Sequence, residues 1–301
     1  MLAIVIPYYK ITYFEETLDS LANQTNKNFT VYIGNDNSLD SPEKLINKYS
    51  QEFKIIYKKF DNNIGNESLT KQWDRCINMV KEEKWFQILG DDDFLDNNFV
   101  AEFYNNLNKV NDLQIKVIRF ATTLIFGRRK SGEKLEHPKI EKATDLFYRK
   151  FLEKSTRSAL SEFIFKKDAY EKWGFRNFKL GWGADNFAWL EFSEFGLIYS
   201  INRTTCYVRM SNDNISRKGY LEDLKLKTKQ HYIELLVRNH LEKFAPPIRI
   251  KLLLYYELLT YSANAINIKF WLRMNYYLFV EKEVLELIKM NRRIFLNYKK
   301  K

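Results

Sequence analysis

Three consecutive carboxylates, Asp91, Asp92 and Asp93, follow the apolar run WFQIL and Gly90. Like charges held this closely raise one another's pKa unless a cation lies among them. Carboxylate oxygens are hard ligands that suit Mg2+ or Mn2+. Such ions are usually held by one or two carboxylates together with the phosphates of a substrate. The turn therefore points to a metal-bridged diphosphate. The plainer alternative is a solvated turn in which Asp91 or Asp93 caps the next helix.

Other polar residues fit the same chemistry. Asp36, in NDNS, can accept the imide N–H of a uracil or thymine, or form an Asx-turn. Asn63 and Gly65, in DNNIGNES, suggest a tight loop entering a helix N-terminus. Such a place holds a phosphate or serves as an ordinary turn. Lys71 reaches toward the diphosphate or simply faces solvent. Asp185, in KLGWGADNFAWLEF, follows Gly181, Trp182 and Gly183. Partial desolvation there would raise its pKa and make it a general base, with a helix cap as the alternative. Arg209, with Asn214 and Ser216, is expected in a loop that closes over phosphates, or in an ordinary surface loop. Trp173, Trp182, Phe187 and Trp189 fit a sugar platform, although core packing claims at least two of them.

These residues need a frame. Residues 2–6 (LAIVI) form a continuous apolar run stopped by Pro7, as in a strand buried on both faces. Further strands are expected over residues 29–34, 53–57 and 85–89. Helices are expected over 15–22, 42–49 and 68–81, with Pro42 in a first helical turn. This alternation implies βαβ units and a parallel sheet, with ligands at the carboxyl ends of the strands. The turns that begin at Pro7, Asn35 and Gly90 then converge. Farther on, strands are expected over 115–126, 161–165, 197–201 and 205–210, with a helix over 166–173. From Tyr220 the pattern is helical, split at Pro246-Pro247, so a boundary is expected near residue 219.

Bulk properties narrow the class. The chain has 301 residues, 45% of them hydrophobic, enough for one large domain or a domain with an appendage. The start, MLAIVIPYYK, lacks the basic beginning and long apolar core of a signal peptide, and a cytoplasmic protein is expected. No stretch of about 18 uncharged apolar residues suggests a spanning helix. The two cysteines, Cys76 and Cys206, and the three histidines have no metal-ligand spacing. A net charge of +11 suits nucleic acid, anionic lipid or a phosphorylated ligand.

Together the motifs resemble the family 2 glycosyltransferases of the GT-A fold, over residues 1–217. IVIPYYK is similar to that family's opening I-x-I-P-x-Y-N strand, with Lys10 in place of Asn. YIGNDNSLD resembles V-x-D-D-x-S-x-D, with Asn35 in the first acidic place and Asp36 in the second. NNIGNES matches the N-x-G turn. ILGDDDFLDNNFV resembles the D-x-D region, with Gly90 at its first Asp and Asn97 or Asn98 where Pro is usual. SEFIFKKDAYEKWGFRN is similar to a strand, basic helix and G-F turn of the acceptor half. GWGADNFAWLEF resembles G-x-x-E-D-x-x-L-x-x-R, with Ala184 for Glu. YVRMSNDNIS resembles Y-R-x-H-x-x-S-x-S, with Ser211 for His and Asn214 for Ser.

The resemblance implies an α/β GT-A domain over 1–219, Rossmann-like, with a mixed, mainly parallel sheet flanked by helices. A C-terminal helical region, 220–301, would follow. It implies a metal-dependent inverting enzyme of hexosyltransferase type. Such an enzyme moves a sugar from a nucleotide-diphosphate donor, UDP-linked, to a saccharide or lipid-linked saccharide, in bacterial cell-surface polysaccharide or lipid-linked oligosaccharide synthesis. Asp92 would hold Mn2+ or Mg2+, helped by Asp93, with Asp91 near the ribose. Asp36 would read the base. Pro7, Tyr9, Asn63, Gly65, Lys71 and Arg209 would bind the nucleotide sugar. Trp182 would lie on the acceptor side, and Asp185 would be the catalytic base.

Two other classes compete. A sugar-phosphate nucleotidyltransferase wants a glycine-rich phosphate loop after the first strand, and PYYKITYFEE has no glycine. A nucleic-acid-binding protein would fit the charge and the 16% aromatic content, but the acidic turn repels phosphates without metal, so no nucleic acid is expected. The C-terminal helices interleave Tyr and Leu with Lys and Arg. Peripheral attachment to the anionic inner face of the cytoplasmic membrane is expected there, against a helical cap or a homodimer contact.

Overall fold

The structure, a computed structural model, describes residues 1–127, 129–130, 132–210 and 219–298. The chain divides into two compact units. One comprises Met1–Lys150 and Lys154–Gly219, the other Phe151–Glu153 and Tyr220–Lys301.

The first unit is α/β. Its elements are β1 (Leu2–Tyr8), α1 (Phe14–Ala22), β2 (Phe29–Asn35), α2 (Glu43–Tyr49), β3 (Lys54–Lys59), α3 (Leu69–Ile77), β4 (Trp85–Ile88) and β5 (Phe94–Leu95). Then follow α4 (Phe99–Asp112), β6 (Val117–Phe126), β7 (Arg129–Lys130), β8 (Ile140–Lys142), α5 (Ala143–Phe147), β9 (Phe163–Lys166), α6 (Lys167–Trp173), α7 (Ala184–Phe192) and β10 (Leu197–Arg209). The strands lie in the order β3-β2-β1-β4-β9-β6-β10-β5, with β7 on β6 and β8 on β10.

Strands β3, β2, β1 and β4 are mutually parallel, as are β6 and β10. Strand β9 runs antiparallel between β4 and β6. One edge of the sheet therefore collects the carboxyl ends of β1, β2, β4, β6 and β10 together with the residues that enter β9. The apolar runs of β1 and β2 are buried on both faces, as the sequence pattern requires.

Strand β1 continues through Pro7 instead of stopping there. The Val5 carbonyl accepts from Leu89 N–H, beyond β4, and the Tyr8 carbonyl accepts from Asp36 N–H, beyond β2. Pro7 alternates with these and faces the β4 side. Pairing with β4 ends at Val5, so the missing donor breaks no ladder bond. The two expected late strands are one, β10, with a bulge between Ile201 and Thr205 against β6.

The second unit is helical: α8 (Glu222–His240), α9 (Pro246–Ser262), α10 (Ile268–Val280) and α11 (Val284–Tyr298). Tyr232, Leu236, Leu253, Tyr256, Phe270 and Met274 are among its buried side chains. Pro246 opens α9 at a position where its missing N–H has no helical partner to lose. Among the described residues, no helix is long and apolar enough to cross a membrane.

Candidate active site

The acidic turn after β4 is built from three carboxylates in three environments. Asp91 Oδ2 accepts the backbone N–H groups of Tyr9 and Lys10, both at 2.7 Å, and so ties the turn to the end of β1. Asp93 is buried. Its Oδ1 accepts from the Arg209 backbone N–H at 2.8 Å, and its Oδ2 accepts from Ser161 Oγ. Asp92 carries no side-chain hydrogen bond or ion pair among the described residues. Burial, then the neighbouring charges of Asp93 and Asp91, raise its pKa well above the ordinary carboxylate value. Burial likewise raises Asp91 and Asp93, opposed in each by the hydrogen bonds just named.

Gly90 takes the place where the resemblance has an acid. A Cβ there would lie 2.9 Å from Asp93 Oδ2 and 3.1 Å from Asp92 Oδ1, so the trio folds back over a residue without a side chain. Among the described residues, no three His, Cys, Asp or Glu side chains cluster to hold a metal by themselves. Asp92 still suits a hard divalent ion: its oxygens have no side-chain hydrogen bond or ion pair among the described residues, and adjacent negative charge would be relieved by a cation. Asp93, expected as a second ligand, has both oxygens committed to holding the turn against β10 and the residues before β9.

Asp36 departs from the sequence expectation. It is buried, and its Oδ1 and Oδ2 accept from the N–H groups of Ile64 and Gly65, both at 2.9 Å, while Oδ1 also pairs with the Arg75 guanidinium. Direct base reading by Asp36 requires exchanging those bonds. The reason is tertiary: the fold brings the donors of the 64–65 turn against this β2-end carboxylate. A Cβ on Gly65 would sit 2.4 Å from Asp36 Oδ2, which explains the glycine. Asn63 Oδ1 accepts from Asn66 N–H at 3.1 Å, closing the same turn. Lys71 lies in the first turn of α3, capped by Ser68 Oγ, with its side chain exposed. Pro7 is half-buried at the end of β1, and Tyr9 is 47% exposed beside it.

Arg209 is not in a loop. It ends β10, is 1% exposed, and donates to Glu16 Oε2 at 2.6 Å and to the Asp92 carbonyl at 2.8 Å. It also donates to the Gly127 carbonyl and lies over the Tyr13 ring. The guanidinium clamps the acidic turn from behind. The expected partners Asn214 and Ser216, and Ser211, lie outside the described residues.

Asp185 stands in the first turn of α7, whose N-cap is Gly183 at φ 91°, a backbone conformation that favours glycine. No side-chain cap bond forms there, so Asp185 does not cap the helix. Its Oδ1 accepts from Asn186 Nδ2 at 3.0 Å, and Oδ2 lies 3.9 Å from Lys150 Nζ. Lys150 also donates to Asn186 Oδ1 and Ser158 Oγ, both at 2.5 Å. Burial lowers the lysine pKa, and Asp185 and Glu162 oppose that. Trp182 is half-buried in the adjoining turn, whereas Phe187 and Trp189 are core residues.

Two sets of contacts join these places. Ser161 bonds Asp93 and the Gly90 N–H, and its neighbour Glu162 pairs with the buried Arg119 at 2.6 Å. Glu162 and Arg119 act electrostatically on Lys150, which adjoins Asp185. On the other side, a Cβ on Gly181 would lie 3.3 Å from the Leu69 side chain, so the turn before Asp185 packs on the start of α3, beside the Asp36 loop. Lys150, Ser161, Arg75 and Glu16 were not singled out from the sequence. Lys150, Arg75 and Glu16 are charged residues in segments without a motif, Ser161 opens a motif that assigns it no role, and only the tertiary pairing reveals each of them.

Comparison with known proteins identifies the family and the fold. The family model "Glycosyl transferase family 2" matches residues 3–173. No curated protein sequence matches the chain. Among solved structures, S. aureus TarS 1-349 in complex with UDP-GlcNAc superposes with a TM-score of 0.66 at 13% identity, covering 92% of this chain and 79% of that one. The mannosyltransferase PcManGT from Pyrobaculum calidifontis, in complex with GDP-Man and Mn2+, gives 0.57 at 13% identity, covering 88% and 73%. The fold is thus GT-A, and the chain, a nucleotide-sugar glycosyltransferase, belongs to glycosyl transferase family 2.

Proposed function

We propose that the enzyme transfers a hexosyl group from a UDP-linked sugar to a hydroxyl of a saccharide or lipid-linked saccharide, with inversion and with Mn2+ or Mg2+ bound at Asp92. The observation that carries this reading is the contrast between two carboxylates, one in the turn after β4 and the other in the first turn of α7. Asp92 has no side-chain hydrogen bond or ion pair among the described residues and is crowded by like charge, which suits a cation. Asp185 is held by Asn186 and by Lys150, which suits a base of fixed orientation. The TarS complex with UDP-GlcNAc and the PcManGT complex with GDP-Man and Mn2+ support the donor class and the metal.

When bound, the cation supplies Lewis-acid stabilisation of charge on the leaving diphosphate. The remaining work belongs to the chain. Asp91 fixes the Tyr9–Lys10 backbone beside the ribose. Asp36 acts on the base through the turn it holds, with Asn63 and Gly65 presenting backbone to the nucleotide and Lys71 near the phosphates. Arg209 fixes the acidic turn through the Asp92 carbonyl. Asp185 accepts the acceptor hydroxyl proton as that oxygen bonds the anomeric carbon. The bond from that carbon to the β-phosphate oxygen breaks, and its electron pair leaves with the nucleoside diphosphate. One displacement inverts the centre.

A panel of nucleotide sugars, read by hydrolysis and thermal shift with Mn2+ or with chelator, tests this. UDP-sugar turnover that needs Mn2+ is expected. Turnover undiminished by chelator would remove the metal, and exclusive use of another nucleotide would remove the uridine assignment.

A further inference from the structure

Half of the large apolar side chains exposed among the described residues lie between Ile268 and Leu296, on α10 and α11. They are ordered. Leu272, Tyr276 and Phe279 recur at helical spacing on α10, opposite the buried Phe270, Met274 and Leu278. Val284, Leu285 and Ile288 continue the apolar surface on the first turns of α11. Phe279 is 73% and Leu285 63% exposed, on either side of the tight connection through Lys282. Isolated surface leucines need no explanation, but a concentrated apolar face does.

Charge identifies what meets it. Residues 268–301 contain nine Lys and Arg against three Glu, so +6 of the chain's net +11 falls in this short stretch. Lys269, Lys282, Lys289 and Arg292 are exposed. Two copies apposed through this face would bring like charge together. An anionic bilayer offers apolar depth for the aromatic and aliphatic side chains and phosphates for the cations. We propose that α10 and α11 form an interfacial anchor that lies on an anionic lipid surface. No described helix is apolar enough to cross a bilayer, so the contact is peripheral. The proposal is independent of the donor and metal assigned above.

The test uses the full chain with phosphatidylcholine vesicles and with vesicles that also contain phosphatidylglycerol. Cosedimentation with the anionic vesicles, weakened by added salt, is expected, with little binding to neutral ones. Two variants attack the contact separately: Phe279→Glu with Leu285→Glu, and Lys282→Glu with Arg292→Glu. All four positions are exposed, so circular dichroism should match the parent. Each pair should lower partitioning by about tenfold or more. Light scattering on the same samples reports self-association. Equal binding to both vesicle types, binding to neither, or a dimer that the apolar variant dissolves without changing vesicle binding would each overturn the proposal.

Discussion

Lys150 Nζ lies 3.9 Å from Asp185 Oδ2 and at the same time donates to Asn186 Oδ1, whose amide Nδ2 donates to Asp185 Oδ1. The lysine thus fixes the carboxylate twice, once by charge and once through the orientation of the amide. Removing it frees Asn186 to flip and leaves Asp185 without its nearest cation.

Asp185→Asn should lower kcat by about 10²–10⁴-fold, the usual worth of a positioned base, with the fold intact. Lys150→Met should lower kcat more than it changes KM, because the role proposed for Lys150 is to orient the base, by its charge beside Asp185 and its bond to Asn186. In the double variant the losses should be strongly non-additive, since both substitutions disable one unit. Steady-state kinetics on the four proteins reads the coupling. Independent, additive losses would separate Lys150 from the base.

Asp92→Asn should abolish stabilisation by Mn2+. The carboxyl sits above its ordinary pKa because it is buried beside Asp93 and Asp91. A proton therefore competes with the cation, and the Mn2+-induced rise in Tm should grow as pH increases through the range where Asp92 ionises. In chelator the sign reverses. A raised carboxyl binds more protons folded than unfolded, so metal-free stability falls with rising pH over that window. Asp92→Asn should flatten both trends. Thermal melts across pH, with and without Mn2+, give the comparison.

How far the sequence carried this picture depended on whether a feature was local. The strands LAIVI and FTVYIG declare themselves because both faces are buried and no charged residue interrupts them. Asp92 and Asp185 could be singled out because each sits beside a glycine at a strand or helix terminus. Arg209 falls within the strand expected over 205–210, but the polar residues that follow Met210 suggest a loop role for it, whereas its partners Glu16, Gly127 and the Asp92 carbonyl come from three distant segments. Asp36 was placed correctly at the end of β2, but its engagement by Arg75 depends on how α3 packs. Lys150 stands in a helical stretch without any motif, and nothing short of the fold brings it to Asp185.

Gly65→Ala should weaken nucleotide binding and the fold together. The new Cβ would meet Asp36 Oδ2 at 2.4 Å. That oxygen cannot swing aside cheaply, because the same carboxylate holds the Ile64 N–H and Arg75. The turn must move instead, at a cost of about 1–3 kcal/mol, typical of overpacking a committed site. Denaturant unfolding should show that loss, and donor KM should rise. Unchanged stability would mean that the Asp36 clasp is loose in solution.

His137 should make the protein acid-sensitive. The ring is 5% exposed, and burial, then the positive charges of Arg119 and Arg149, push its pKa down to about 2. An unfolded histidine titrates near about 6.5. Between these values the unfolded chain binds a proton that the folded chain refuses, so stability is retained above about 6.5 and falls as the pH drops below it. The slope approaches about 1.4 kcal/mol per pH unit for one proton. The raised carboxyls of the acidic turn titrate near this range too, but they do so whether or not the imidazole is present, so a variant without the imidazole isolates the histidine. His137→Leu keeps an apolar side chain in that site and removes the titration. Urea midpoints measured from neutral pH down toward the ordinary carboxylate range should fall for the parent relative to His137→Leu, the gap widening as the pH drops. Parallel declines in the two proteins would show that the imidazole accepts its proton without opening the fold.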